Sequence, residues 1–306
     1  MRIAVLGTGR MAEIRVPLLL RGGAEVVLAG GDPDRTAAVA RRLGARPASV
    51  DEALASRPDG VVVASATDRH LEQLLAAAEL GVPVLCEKPI ALTVEDTRAA
   101  VRALEGAVVQ VGFQRRFDPS IDAARAKGVG TLYSIRITAR DAEPAAEHYI
   151  PGSGGIFRDM HVHDFDLARW FTGREVATVY AVGAVRGFER FARHGDVDTS
   201  AVVLTMDDGM PVTIDGSRHD PLGYDVRIEL LGSEDAVSVG PATLPRSFAE
   251  RFAGAFAAET EAFLGLVRDG GESPCPPESA LEALRVAVAC DTSRAEGRPV
   301  SMEEVA

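Results

Sequence analysis

The sequence predicts an α/β protein: a doubly wound parallel sheet, then an α/β domain with a large, mostly antiparallel open sheet. Three observations predict it. A glycine-rich turn, Gly7-Thr8-Gly9-Arg10-Met11-Ala12, follows the first apolar run at once. Short apolar strands then alternate with helical patterns as far as Val111, the signature of consecutive βαβ units. Beyond residue 120 the pattern changes to long segments of alternating apolar and polar residues, which mark antiparallel strands with one covered face.

Taken in order, Arg2 to Leu6 is the first strand, and G-x-G-x-x-A between a strand and a helix is the context that a dinucleotide fingerprint requires. The glycines permit a tight turn and let the backbone approach a pyrophosphate seated on the helix amides. The chain is therefore expected to open with a dinucleotide-binding domain. Glu25 to Ala29 is the second strand, after which an acidic residue should hold the adenosine ribose. Asp32 in that position favours NAD, whereas Gly30 would leave room for a 2′-phosphate near Arg35, so NADP stays open. Asp32 can also simply cap a helix that begins at Pro33.

Gly60 to Ala64, Val82 to Cys86 and Ala107 to Val111 are further strands, with helices near Asp68 to Leu80 and Val94 to Leu104 between them. Ligands bind such sheets beyond the carboxyl ends of the strands, where Ser65, Thr67, Glu87, Lys88, Gln114 and Arg115 lie. Lys88, between Glu87 and Pro89, is placed to reach a substrate oxygen beside a nicotinamide; a surface ion pair of Glu87 with an arginine is the plainer reading of its neighbour. His70 reads as a packed or capping residue.

A helix from Phe117 to Lys127 leads to Gly128 and Gly130, which mark the domain boundary. The division is 1–120 for a dinucleotide-binding domain and 121–306 for a substrate-binding and oligomerisation domain. Thr131 to Arg140, Val176 to Val185, Thr199 to Met206, Pro211 to Ser217 and Val226 to Leu231 read as strands, with a hairpin at Asp207-Asp208-Gly209. Helices at Phe248 to Val267 and Ser279 to Ala295 close the chain. The open sheet face suits pairing with a second copy, so a homo-oligomer, dimer or tetramer, is expected.

Between them, Gly154-Gly155-Ile156-Phe157-Arg158-Asp159 and the residues up to Trp170 read as a helix starting after the two glycines. Asp159 and His163, four apart, would share one face, with His161 and Asp164 pointing elsewhere. A carboxylate beside an imidazole suits proton transfer. The spacing of His161, His163, Asp164 and Asp166 is poor for zinc, because residues two apart on a helix diverge, and no metal is expected.

Composition sets the outer limits. The formal net charge of −12 argues against a nucleic-acid partner. Cys86, Cys275 and Cys290 lack paired spacing and read as buried apolar residues. No signal peptide and no membrane-spanning run is expected, which makes a cytoplasmic protein the expectation.

The glycine fingerprint, Glu87-Lys88-Pro89, and Gly154-Gly155 through Asp159 and His163 together resemble the glucose-fructose oxidoreductase / inositol dehydrogenase / MocA family over nearly the whole chain. The resemblance is nearest to inositol 2-dehydrogenases through Gly112 to Asp118, Ser153 to Phe157, Asp196 to Thr199 and Gly223 to Asp225. It implies an NAD(P)-dependent dehydrogenase acting on the secondary hydroxyl of a cyclic polyol or sugar, with Lys88, Asp159 and His163 as the catalytic set. It implies substrate contacts by the same three with Arg115 and Tyr224, and weaker candidacies for Asp141 and His148. Other members use the cofactor only transiently, and a non-catalytic regulator of this fold is the third alternative. The chain departs from inositol-like members at Gln114, where Met is usual, at Gly30, and at Arg158 and His161.

Overall fold

The computed structural model describes residues 1–305. By contacts the chain forms two compact units, one of Met1–Gln114 with Ala255–Leu281, the other of Arg115–Gly254 with the residues from Glu282 onward.

The first unit holds strands β1 (Arg2–Leu6), β2 (Glu25–Ala29), β3 (Arg46–Ala48), β4 (Gly60–Val63), β5 (Val84–Cys86) and β6 (Val109–Val111). They form a parallel sheet in the order β3-β2-β1-β4-β5-β6. The order reverses between β1 and β4, which opens a crevice at the carboxyl ends of these strands. β1 is buried from Ile3 to Leu6, as expected of a strand covered on both faces.

Helices α1 (Arg10–Arg21), α2 (Pro33–Leu43), α3 (Val50–Ala55), α4 (His70–Ala78) and α5 (Val94–Ala103) alternate with these strands. Local chemistry sets where they start. Asp32 caps α2 by accepting from the Arg35 N–H at 2.9 Å, with Pro33 at the first helical position. Ser49 and Glu52 form a reciprocal capping box on α3. The core joins Ile3, Val5, Leu28 and Val62 to Val16 and Leu19 of α1, and to Phe263 and Leu264 from near the end of the chain.

A 3-10 turn at Gln114–Phe117 leads into the second unit, whose first helix is α6 (Pro119–Lys127). The single helix expected from Phe117 is broken because Asp118 caps a new start at Pro119, its carboxylate accepting from Ser120 and Ile121 N–H. Short helix α7 (Ile150–Ser153), α8 (Val162–Thr172) and α9 (Glu189–Arg193) come next. The sheet comprises β7 (Leu132–Arg140), β8 (Val176–Ala184), β9 (Thr199–Met206), β10 (Pro211–Ser217), β11 (Asp225–Gly232), β12 (Ala236–Val239) and β13 (Val300–Ser301), ordered β12-β11-β7-β10-β9-β8-β13. All pairings are antiparallel except β7 with β10. The Asp207-Asp208-Gly209 turn joins β9 to β10, with Met206 N–H donating to Met210 O at 2.9 Å.

One sheet face is buried and the other is not: Tyr180, Val182, Val203 and Leu231 stand exposed. The remaining helices are α10 (Phe248–Arg251), α11 (Ala253–Asp269) and α12 (Pro277–Glu296). The single helix expected from Phe248 is interrupted at Phe252. No helix among the described residues is long and apolar enough to cross a membrane.

Candidate active site

The first unit supplies a cradle for a dinucleotide. Gly7 has φ +126°, and a Cβ there would collide with the Ala64 carbonyl, so only glycine lets the loop pack against the end of β4. Its N–H donates to Ala29 O at 2.7 Å, which ties the loop to β2. Gly9 is different: nothing lies within 4 Å of a Cβ built on it, and no side chain caps α1 there. The open space above Gly9 and the uncapped amides of α1 fit a pyrophosphate. Thr8 and Met11 are half-buried and Arg10 is exposed along this turn.

The other strand ends carry the remaining residues expected at a cofactor. Ser65 is half-buried and donates its hydroxyl to Gln73 at 2.8 Å. Thr67 opens a 3-10 turn, and Gln114 is buried at the end of the unit. His70 is packed, its ring nitrogens 2.7 Å from Pro89 O and 3.1 Å from Ser65 O, so it fixes the segment just after Lys88. Asp32 spends its side chain capping α2, which is the plainer of the two roles open to it.

Glu87 does pair with an arginine, but inside the protein and not at its surface. It is buried, and one carboxylate oxygen accepts from Arg15 Nε at 2.8 Å, while Arg15 also reaches Glu259 at 2.5 Å. Arg15 and Glu259 are fully buried. Two carboxylates thus share one guanidinium next to Lys88 in the chain. Burial pushes the Glu259 carboxyl up to about 7, with Arg15 opposing and Glu87 adding to the rise. Lys88 itself is half-buried at the end of β5.

The second unit carries the acid–imidazole pair. Gly154 and Gly155 have φ +80° and +86°, a turn that favours glycine. Asp196 pins it, accepting from Ile156 N–H at 2.9 Å and Val197 N–H at 2.8 Å through one oxygen. The helix expected after these glycines is not regular: Phe157–His161 is a π-helical turn, and α8 begins only at Val162. π turns of this kind often occur at functional sites. His163 is buried in the first turn of α8, and Asp159 lies on the π turn.

Asp159 is held on both oxygens. Tyr149 donates its hydroxyl to Oδ1 at 2.9 Å, and Arg218 donates Nη1 to Oδ2 at 2.8 Å. Arg218 is 3% exposed and also lies 3.6 Å from Asp141 and 3.9 Å from Asp196. One cation therefore serves three carboxylates. Burial pushes the Asp141 carboxyl up, Arg218 pulls it back, and Asp159 adds to the rise. Sequence reasoning missed Arg218, Tyr149 as a partner of Asp159, and the Arg15–Glu259 pair.

A second polar cluster lies in the core of the same unit. Arg115 ion-pairs with Asp164 and shares a hydrogen bond with Tyr224. Asp164 also accepts from His161 Nδ1 at 2.7 Å, and His161 Nε2 lies 2.8 Å from the Ser200 hydroxyl. Burial raises the Tyr224 phenol to about 12, with Arg115 opposing, so it stays protonated at neutral pH. Ser200, His161 and Asp164 are linked in the order of a hydrolytic triad, yet they are 3%, 0% and 0% exposed, which denies a substrate access to the serine. Gly216 makes room for the ring: a Cβ there would collide with His161. Arg158 pairs with Asp291 at 2.9 Å, and His148 is exposed. No group of three His, Cys, Asp or Glu side chains among the described residues could hold a metal ion.

A parallel sheet with a glycine cradle at its switch point, joined in one chain to a unit bearing a buttressed acid and an imidazole, defines a dinucleotide-dependent oxidoreductase. Residues 1–114 match the oxidoreductase family with NAD-binding Rossmann fold, and residues 122–238 match the GFO/IDH/MocA C-terminal domain. The chain belongs to the GFO/IDH/MocA family. It is similar to myo-inositol 2-dehydrogenase of Thermotoga maritima, 34% identical with 100% of this chain and 99% of the relative covered. A solved putative myo-inositol dehydrogenase from Sinorhizobium meliloti 1021 superposes with a TM-score of 0.94 at 34% identity over 99% of both chains. Scyllo-inositol dehydrogenase from Lactobacillus casei, solved with NAD(H) and scyllo-inositol bound, superposes at 0.91 with 25% identity, again over 99% of both.

Proposed function

We propose that the protein oxidises a secondary hydroxyl of a cyclic polyol, an inositol in the first instance, with Lys88, Asp159 and His163 as the catalytic set. The observation that carries this reading is the buttressing of Asp159. Both of its oxygens are engaged by the protein, which fixes the plane of the carboxylate. The inositol dehydrogenases to which the chain is similar over its full length support the choice of substrate class.

A nicotinamide dinucleotide held at the Gly7–Ala12 cradle would supply the hydride acceptor for the substrate carbon. His163 takes the hydroxyl proton, since an imidazole exchanges protons near neutral pH. Lys88 donates to the same oxygen and stabilises the negative charge that develops on it. Asp159 orients the substrate through a neighbouring hydroxyl and supports the charge on His163. Arg115 and Tyr224, bonded to each other, contribute to substrate recognition by fixing the wall of the site.

Lys88→Ala is expected to lower kcat by a factor of roughly a thousand or more, because a donor to a developing oxyanion is removed. Dinucleotide affinity, read by titration calorimetry, stays within about twofold of the native value on the transition-state argument. Full activity in that variant would sink the assignment.

The protein is expected to work in the cytoplasm as a dimer or tetramer. The exposed sheet face supports the oligomer: Tyr180 lies opposite Val203 and Val182 opposite Ala201 in the ladder, an apolar patch that a second copy would cover.

A further inference from the structure

We propose that the adenosine end of the dinucleotide site selects the 2′-phosphorylated dinucleotide, NADP, with Arg35 as the residue that binds the added phosphate. The inference rests on reading Gly7–Ala12 as the pyrophosphate cradle, and it concerns which form of the cofactor this chain prefers.

Rossmann domains that select NAD place a carboxylate just beyond the second strand, where it accepts from the ribose 2′-hydroxyl and repels a phosphate there; those that select NADP place an arginine nearby. β2 ends at Ala29 and is followed by Gly30 and Gly31, so the position next to the ribose has no side chain. At Gly30 a carboxylate could not be accommodated without displacing its neighbours, while Gly31 is open and simply lacks a side chain. A Cβ on Gly30 would lie 2.7 Å from Thr36 Oγ1 and 2.8 Å from Thr8 Cγ2. Thr36 is held in place, its hydroxyl donating to Asp32 O at 2.6 Å.

The first acid after the strand, Asp32, lies two residues beyond Gly30 and caps α2 through one oxygen. Its Oδ1 accepts from the Arg35 N–H at 2.9 Å, the geometry of a helix cap. Arg35 is exposed in the first turn of α2, and its Nη2 lies 3.5 Å from Thr8 O in the glycine loop itself. A contact of that length is weak, so the guanidinium is at the mouth of the cradle and available to a better acceptor. The nearby carboxylate of Glu13 is taken by Arg42 at 2.8 Å. An arginine binds phosphate through two parallel hydrogen bonds, a match that the ribose hydroxyl of NAD does not offer.

Titration calorimetry on the full-length protein with NADPH and NADH separately tests this. The native protein is expected to bind NADPH about tenfold more tightly than NADH or better, the worth of one charge-assisted hydrogen bond. Arg35→Leu, an exposed substitution, is expected to remove most of that preference by weakening NADPH while shifting NADH by less than about twofold. Equal or tighter binding of NADH to the native protein, or equal losses for both dinucleotides in Arg35→Leu, overturns the proposal and leaves the oxidoreductase reading standing. Binding of neither dinucleotide overturns both.

Discussion

At the scale of single residues the decisive side chain is Arg218. It is buried among Asp159, Asp141 and Asp196, so it both orients Asp159 and offsets the repulsion among three carboxylates. Removing the cation outright would leave buried charges uncompensated, a loss of roughly 3–5 kcal/mol that endangers folding. Arg218→Lys keeps the charge and loses the planar fork. We expect it to lower kcat about tenfold through misplacement of Asp159, with dinucleotide affinity unchanged. The acid side of the pH–rate profile should move upward, because Arg218 opposes the burial that raises Asp141 and a single ammonium opposes it less. A variant with native kcat and native pH profile would show that Arg218 only holds the fold together.

At the scale of elements, Arg15 on α1, Glu87 after β5 and Glu259 on α11 tie three elements of the first unit together through one buried guanidinium. Glu259 Oε1 is buried and has no hydrogen-bond partner, so Arg15 engages only Oε2 of this carboxyl. Its folded pKa of about 7 lies above the ordinary 4.5, so the native state binds the proton more tightly than the unfolded chain. The stability it contributes is fully present below pH 4.5 and is lost as pH rises through 7. Glu259→Gln should flatten the fall in melting temperature across this window, on the order of 1–3 kcal/mol, in thermal unfolding followed by circular dichroism. Parallel curves for variant and native protein would assign the pH dependence elsewhere.

What the sequence made legible at this scale is what local pattern controls. The βαβ order, the glycine cradle and the five long alternating strands were readable because buried strands are continuously apolar and half-buried ones alternate. β3, β12 and β13 escaped because they are short and, unlike the equally short strands β4 to β6 that are buried throughout, carry exposed or half-buried positions in place of a continuous buried run. The glycine pair at 154–155 announced a break but not a π turn, since the extra residue in that turn leaves no mark on apolar spacing. Arg218 and Arg15 were illegible for another reason: their carboxylate partners are distant in sequence, and an arginine on a strand end or an amphipathic helix reads as solvent-facing. His161 lies between apolar Met160 and Val162, and Gly216, far away in sequence on β10, makes the space for it.

At the scale of the whole molecule, the uncovered face of the seven-stranded sheet calls for a partner. Tyr180 and Val203 are 39% and 43% exposed on adjacent strands, an arrangement that water does not favour. We expect the native protein to run as a dimer or tetramer and Val203→Glu as a monomer in size-exclusion chromatography with light scattering; a native monomer would contradict the proposed oligomer, and an unchanged oligomeric mass in the variant would place the interface on another surface. The net charge of −12 keeps such monomers soluble enough to measure.

Polyol oxidation is tested most directly by following dinucleotide reduction by absorbance, with NAD and NADP supplied separately, against inositol stereoisomers, other polyols and aldoses. We expect sustained reduction with at least one inositol stereoisomer, faster with NADP than with NAD. Demonstrable dinucleotide binding with no reduction by any of these compounds would contradict the assignment, and would instead favour chemistry in which the cofactor is oxidised and restored within each cycle.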